Sequence, residues 1–318
     1  MTTQNQSSTT KPPLDFLLNA PDVLHPTPRL LLLKEVRIGS MTLRVAHWPG
    51  RSTPAPILLF NGIGGNFELL TPFVAALGDV EVISFDMPGI GGSTLPPYPY
   101  RMSTVARLAV HVLKKMGHNR ADVIGISWGG ALAQQFAHTA PSRCRRLVLC
   151  ATMAGSPLSW PASPSVFWKL LSPTRYLKPG YMEREAGRLY GGRFRWDKDL
   201  ARDYASRIKK PSRAGYLLQL SAITGWGSAL WLWRLRQPTL VLAGSDDPIS
   251  PPINGHILAK LIPNSRLEVL DEGHLFVIAQ PQITADLVRD FLEGENASQT
   301  KSEHRRPWSA AMHADGSS

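Results

Sequence analysis

The 318-residue sequence predicts a doubly wound α/β fold on a mostly parallel sheet, and three observations support this. Short β-branched runs alternate with longer helical patterns along most of the chain. The later runs are almost unbroken apolar stretches, the pattern expected of strands covered on both faces. One long segment, 155–236, interrupts the alternation with helical patterns and few strand signals, as an insertion over the sheet would.

Taken in order, 36–38 and 43–46 predict an opening hairpin around Gly39-Ser40. Strands are predicted over 57–60, 80–85, 121–126, 146–150, 239–243 and 266–270. Helical patterns fall at 71–77, 104–116, 129–138, 253–261 and 280–292. The expected organisation is a core of 29–154 and 237–292, with 155–236 as a helical cap over the carboxyl edge of the sheet, inserted after the strand that ends near Cys150. Residues 1–28 mix Ser, Thr, Asn and Pro, and 293–318 carry Gly, Ser, Asn and a basic cluster without apolar period, so both ends are expected to be disordered.

The cap segment holds six of the nine tryptophans, Trp160, Trp168, Trp196, Trp226, Trp231 and Trp233, together with 15 Lys and Arg against 5 Asp and Glu. That excess is close to the net charge of the whole chain, +11. An ordinary helical layer with an aromatic core and solvent-facing cations accounts for any one of these residues, but does not require them to cluster.

With 43% hydrophobic and 19% charged residues, the chain can bury a large core and is not expected to be disordered as a whole. The basic balance predicts attraction to anionic surfaces, not a particular fold. Two cysteines, Cys144 and Cys150, are too few for a disulfide framework or a four-cysteine zinc site and read as reduced and structural, which points to a reducing compartment. No stretch approaches the roughly 20 apolar residues needed to cross a bilayer, so no membrane span is expected. The polar first ten residues lack the succession of a secretory signal, and the expected location is the cytoplasm.

The most informative string is Gly125-Ile126-Ser127-Trp128-Gly129, where a predicted buried strand runs into a predicted helix. Random order alone would produce about 0.17 such pentads in this chain, so the string by itself is weak evidence and its strand–turn–helix setting carries the reading. A nucleophile must stand clear of the backbone; a sharp turn achieves this, and glycines two places either side remove colliding Cβ atoms. Ser127 is therefore the candidate nucleophile.

A serine hydroxyl needs a base, and the base needs a carboxylate to fix its tautomer. Of nine histidines, His111 and His138 fall on helical patterns, His118 in a turn, His47 beside the hairpin, His256 at a helix start, and His25, His304 and His313 in the ends. His274 follows the last predicted strand in the loop Asp271-Glu272-Gly273-His274, at the carboxyl edge where α/β sites assemble, and is the candidate base. Asp247, in Gly244-Ser245-Asp246-Asp247-Pro248 at the end of another strand, is the candidate acid, preferred to Asp246, which reads as a turn former. The oxyanion of the tetrahedral intermediate needs two backbone donors, expected from Trp128 and, within Phe60-Asn61-Gly62-Ile63-Gly64-Gly65, from Ile63; the role of Asn61 itself is open. No metal or organic cofactor is required. The glycine-rich Gly89-Ile90-Gly91-Gly92-Ser93 lacks a Walker lysine and reads as structural, and the basic cap comes with no groove-reading module, so no nucleic acid is expected.

Together these residues resemble the α/β-hydrolase superfamily over about 35–292, with the succession Ser127, Asp247, His274 that this fold uses. The narrower resemblance is to intracellular medium-chain-length poly(3-hydroxyalkanoate) depolymerases. It rests on Phe60-Asn61-Gly62-Ile63-Gly64, Asp86-Met87-Pro88-Gly89-Ile90-Gly91-Gly92-Ser93, the run from Gly125-Ile126-Ser127-Trp128-Gly129-Gly130 to His138, Leu242-Ala243-Gly244-Ser245-Asp246-Asp247-Pro248 and Asp271-Glu272-Gly273-His274-Leu275-Phe276. The resemblance implies a serine esterase acting inside the cell on stored polyester at the granule surface; the cationic excess of 155–236 adds the expectation that an anionic granule coat, with its proteins, is a partner. Departures are the longer polar N-terminus and Ser245 where an acidic residue is expected. Two other readings stay open: a hydrolase of small soluble esters on the same scaffold, and a catalytically silent granule-binding protein.

Overall fold

A computed structural model describes residues 29–50, 54–178, 180–209 and 211–294. The expectations for 1–28 and for 295–318 lie outside these residues; at the start of the expected C-terminal tail, Glu293 instead closes the last helix, whose apolar face ends at Phe291 and Leu292.

The first elements among the described residues are β1 (Leu32–Ile38) and β2 (Met41–Trp48), an antiparallel hairpin longer than the sequence indicated because its outer strand is largely solvent-facing and so shows no clean alternation. Then follow β3 (Ile57–Phe60), α1 (Thr71–Ala76), β4 (Val82–Phe85), α2 (Met102–Lys115), β5 (Ala121–Ile126), α3 (Trp128–Thr139) and β6 (Cys144–Cys150). After β6 come five helices in succession, α4 (Pro164–Leu170), α5 (Thr174–Leu177), α6 (Tyr181–Tyr190), α7 (Lys198–Ser206) and α8 (Arg213–Ile223). The described residues close with β7 (Thr239–Gly244), α9 (Ile253–Leu261), β8 (Ser265–Leu270), α10 (Phe276–Ala279) and α11 (Pro281–Glu293).

All eight strands join one sheet in the order β1-β2-β4-β3-β5-β6-β7-β8, antiparallel only where β2 meets β1 and β4. The unbroken apolar strands are explained by burial on both faces. Ile57 and Leu59 of β3 point into the core shared with α1 and α11, whereas Leu58 and Phe60 point into the core shared with α2, α3 and α9. Cys144 and Cys150 are free and buried, and burial pushes both thiols up, away from reactive thiolate. Among the described residues no helix is long and apolar enough to cross a membrane.

The helical segment between β6 and β7 leaves and returns at one stem. Gly155 and Gly227 form an antiparallel bridge, and Ser228 N–H donates to the Ala154 carbonyl at 2.8 Å.

Candidate active site

Every candidate sits at the carboxyl edge of the parallel strands. β5 delivers Ser127 at φ 56° and ψ −118°, a conformation that L residues rarely adopt and that costs roughly 1–3 kcal/mol. The surroundings enforce it. A Cβ at Gly125 would lie 2.2 Å from the Gly129 carbonyl oxygen, and one at Gly129 would lie 2.3 Å from the Phe60 carbonyl oxygen, so α3 packs back on β3 and β5 only with glycine at both places. Ser127 N–H donates to the Cys150 carbonyl at 2.8 Å, and the Ser127 carbonyl accepts from the Thr152 hydroxyl at 2.8 Å and from Gly130 N–H at 2.8 Å. The turn is thus pinned to the end of β6.

His274 follows β8 and is 3% exposed. Its N–H donates to the Tyr190 carbonyl at 2.6 Å, and the Tyr190 ring lies nearly parallel to the imidazole. Nδ1 donates to Asp247 Oδ2 at 2.7 Å, which leaves Nε2 as the nitrogen able to act as base. Asp247 Oδ1 accepts the N–H groups of Ile249 and Ser250, both at 2.8 Å, so each oxygen of this buried carboxylate has donors. Those donors offset the cost of burying the charge.

Asp246 lies elsewhere: its carboxylate takes Arg195 at 2.6 and 2.7 Å and Gly192 N–H at 2.8 Å. The Arg195 hydrogen bond is the largest influence holding Asp246 below the usual carboxylate range.

Ser127, Trp128, Ile63 and His274 all border one cavity of about 460 Å³. Its remaining walls are chiefly apolar, with Leu170, Tyr176, Leu220, Ile223 and Trp226 contributed by the helical segment. No hydrogen bond closes between Ser127 Oγ and His274 here; such bonds are often long in a free enzyme and tighten as substrate arrives. Among the described residues no His, Cys, Asp and Glu cluster could hold a metal ion.

Asn61 acts inside its own loop: Oδ1 accepts Gly62 N–H at 2.7 Å and Nδ2 donates to the Asn66 carbonyl at 2.8 Å. The Gly89–Ser93 string wraps a buried carboxylate, with Gly92 N–H on Asp86 Oδ2 at 3.2 Å and the Ser93 hydroxyl on the Asp86 carbonyl at 2.7 Å.

Two residues around the site went unnoticed in the sequence. Glu272 is buried beside His274, and its Oε1 accepts the N–H groups of Arg193 at 2.7 Å and Gly273 at 2.8 Å, tying the helical segment to the His274 loop. Gln219 on α8 is fully buried and accepts Gly64 N–H at 2.7 Å. A carboxylate inside the His274 string was available as a signal for the first; no local pattern marks the second.

The family profile described as alpha/beta hydrolase fold matches residues 55–194 and 190–281. A poly(3-hydroxyalkanoate) depolymerase of Ectopseudomonas oleovorans is 46% identical over 281 residues, covering 88% of this chain and 98% of that protein. A 3-oxoadipate enol-lactonase 2 of Acinetobacter baylyi is 28% identical, over 71% of this chain and 85% of its own length. Among solved structures, a thermophilic esterase from Thermogutta terrifontis superposes with a TM-score of 0.68 at 25% identity, covering 83% of this chain and 98% of that one.

Proposed function

Because the chain belongs to the α/β-hydrolase family, we propose that it is a serine esterase that hydrolyses medium-chain-length poly(3-hydroxyalkanoate) to 3-hydroxyalkanoic acids, with Ser127, Asp247 and His274 as its triad. The observation that carries this reading is the 2.7 Å bond from His274 Nδ1 to Asp247 Oδ2, in an imidazole that borders the same cavity as a strained Ser127. Near-full-length identity of 46% to a depolymerase supports the substrate, and so does the apolar cavity, which suits aliphatic side chains.

In the mechanism, Ser127 Oγ attacks the ester carbonyl while His274 Nε2 takes its proton, and Asp247 stabilises the imidazolium. The N–H groups of Ile63 and Trp128 hold the oxyanion. The tetrahedral intermediate collapses, the 3-hydroxyl end of the departing polymer takes the proton from His274, and an acyl-enzyme remains. Water, deprotonated by His274, attacks that ester and releases the acid and Ser127. Each step runs on this chain's own residues.

A water-insoluble polymer also requires docking. Trp160 and Trp168, 63% and 70% exposed, lie on the stretch that leads into the cavity wall at Pro161, Ala162 and Phe167. We place the apolar contact with the granule there, inside the cell, with the cations of the segment holding the enzyme to an anionic granule coat.

Incubating the pure protein with polyester granules of short and medium side chains, and identifying the acids released, tests the proposal. Activity on soluble short esters with none on polymer would favour a small-ester hydrolase. Failure to react with an organophosphonate would favour a silent binding protein. Hydrolysis retained by Ser127→Ala would falsify the nucleophile assignment.

A further inference from the structure

Residues Gly62 to Gly65 form a tight turn, closed by Gly65 N–H donating to the Gly62 carbonyl at 3.1 Å. That carbonyl shares its peptide plane with the Ile63 N–H. Ile63 and Gly64 are the central residues, and Gly64 at φ +72° has the sign that a type II turn needs at its second central position. Type I and type II turns differ by a half-rotation of the central peptide, here Ile63–Gly64.

Both ends of that peptide are held from outside the core. The Tyr176 hydroxyl donates to the Ile63 carbonyl at 2.9 Å, and Gly64 N–H donates to Gln219 Oε1 at 2.7 Å. Tyr176 comes from α5 and Gln219 from α8, both in the helical segment. Gln219 reaches further: its backbone carbonyl accepts the Trp128 indole N–H at 3.0 Å. One residue of α8 therefore touches the turn that carries Ile63 and also the side chain of Trp128. The fit is close, since a Cβ at Gly64 would lie 2.6 Å from the Tyr176 ring and 2.9 Å from that of Tyr216. On the other side the turn is held by the core through Asn61.

We propose that Tyr176 and Gln219 are positioning residues for the oxyanion turn: by gripping the carbonyl and the N–H of the Ile63–Gly64 peptide, they hold Ile63 N–H aimed at the developing oxyanion, so that the helical segment completes the catalytic site as well as covering it. The proposal rests on the proposed function, in which Ser127 attacks the ester and Ile63 N–H is one of the two oxyanion donors. Its physical basis is that such donors act only when fixed in advance of the charge they meet. Without its acceptor, Gly64 N–H is buried and unsatisfied; the turn must then shift to satisfy it, and the Gly62–Ile63 peptide, tied to the same turn through the Gly62 carbonyl, shifts with it.

The test uses the full chain and a soluble p-nitrophenyl alkanoate, so that docking on polymer plays no part. Tyr176→Phe removes one hydroxyl, and Gln219→Met keeps most of the volume while removing the acceptor. In each, kcat is expected to fall about ten-fold, less than the loss of a whole donor would cost, with KM moved by less than about two-fold. Inactivation by an organophosphonate, which builds a tetrahedral adduct in the same hole, is expected to slow in parallel. The double variant is expected to lose little more than the worse single one, because both residues grip one peptide. Gln219→Glu, which still offers an oxygen to Gly64 N–H, is expected to recover most of the kcat lost in Gln219→Met. An unchanged kcat in both variants, or a raised KM with kcat intact, overturns the proposal. If Gln219→Met does not fold, Tyr176→Phe decides alone by the same readouts. Failure of the underlying reading registers separately, as ester hydrolysis by Ser127→Ala whatever the two variants do.

Discussion

Asp246 and Asp247 are adjacent in the chain and opposite in surroundings: the first turns outward to Arg195 with 45% of its side chain exposed, and the second turns inward to His274 with none. Asp247→Asn is therefore expected to lower kcat on a soluble ester by about 10⁴, because an amide stabilises the wrong imidazole tautomer. Asp246→Asn removes only a half-exposed ion pair, worth at most about 1 kcal/mol, and is expected to leave kcat within a few-fold of the parent. Steady-state kinetics on the two variants side by side checks this; equal losses would remove Asp247 from the triad.

The backbone at Ser127 makes a stability prediction that is independent of catalysis. At φ 56° and ψ −118° a Cβ is strained, so Ser127→Gly is expected to be at least as stable as Ser127→Ala. The usual order, in which glycine costs roughly 0.5–1 kcal/mol, is then cancelled or reversed. Denaturant unfolding of both variants measures the difference, and a glycine variant clearly weaker than the alanine one contradicts the strain.

Glu68 supplies a pH dependence. Burial by itself would raise its pKa, but hydrogen bonds from Arg44, Lys209 and Asn66 outweigh burial and bring the carboxyl down to about 2. A carboxyl lowered by folding adds stability above its unfolded value near 4.5, and that contribution is lost as pH falls toward 2. Because Lys209 belongs to the helical segment and Arg44 to β2, the loss loosens a joint between them. Thermal unfolding of the parent and of Glu68→Gln is expected to diverge above pH 4.5 and converge near pH 2; a gap independent of pH would refute it.

Docking and chemistry are expected to separate. Trp160→Ala with Trp168→Ala should cut adsorption to polyester particles several-fold and leave turnover of a soluble ester unchanged, since neither side chain borders the cavity. Sedimentation of the protein with the particles measures the first quantity. Adsorption that resists these changes but collapses in salt would assign docking to the cations instead.

What could be read from the sequence was whatever a local pattern encodes. The strands β3 and β7 announce themselves because burial on both faces demands an almost unbroken apolar run. The string around Ser127 shows itself because two close backbone approaches demand glycine at 125 and 129. The edges were harder. β1 is mostly exposed and keeps no alternation, and 80–81, read as strand, precede β4. Least legible were contacts between distant segments: Gly64 meets Gln219 across 155 positions and Arg193 meets Glu272 across 79, and each is a single hydrogen bond with no periodicity to betray it. Which residues of the helical segment reach the turn at Gly64 depends on a fold that composition does not describe.

The stem at Gly155 and Gly227 has a meaning for how such enzymes diversify. Because the two strands it joins are neighbours in the sheet, and the bridge already brings the segment's ends together, the closure entropy of whatever lies beyond grows only slowly with its length. Transplanting a shorter or longer canopy onto this stalk should spare the barrel-less scaffold beneath, making the position a natural exchange point for new substrate ranges, provided the newcomer brings its own hands for the turn at Gly64.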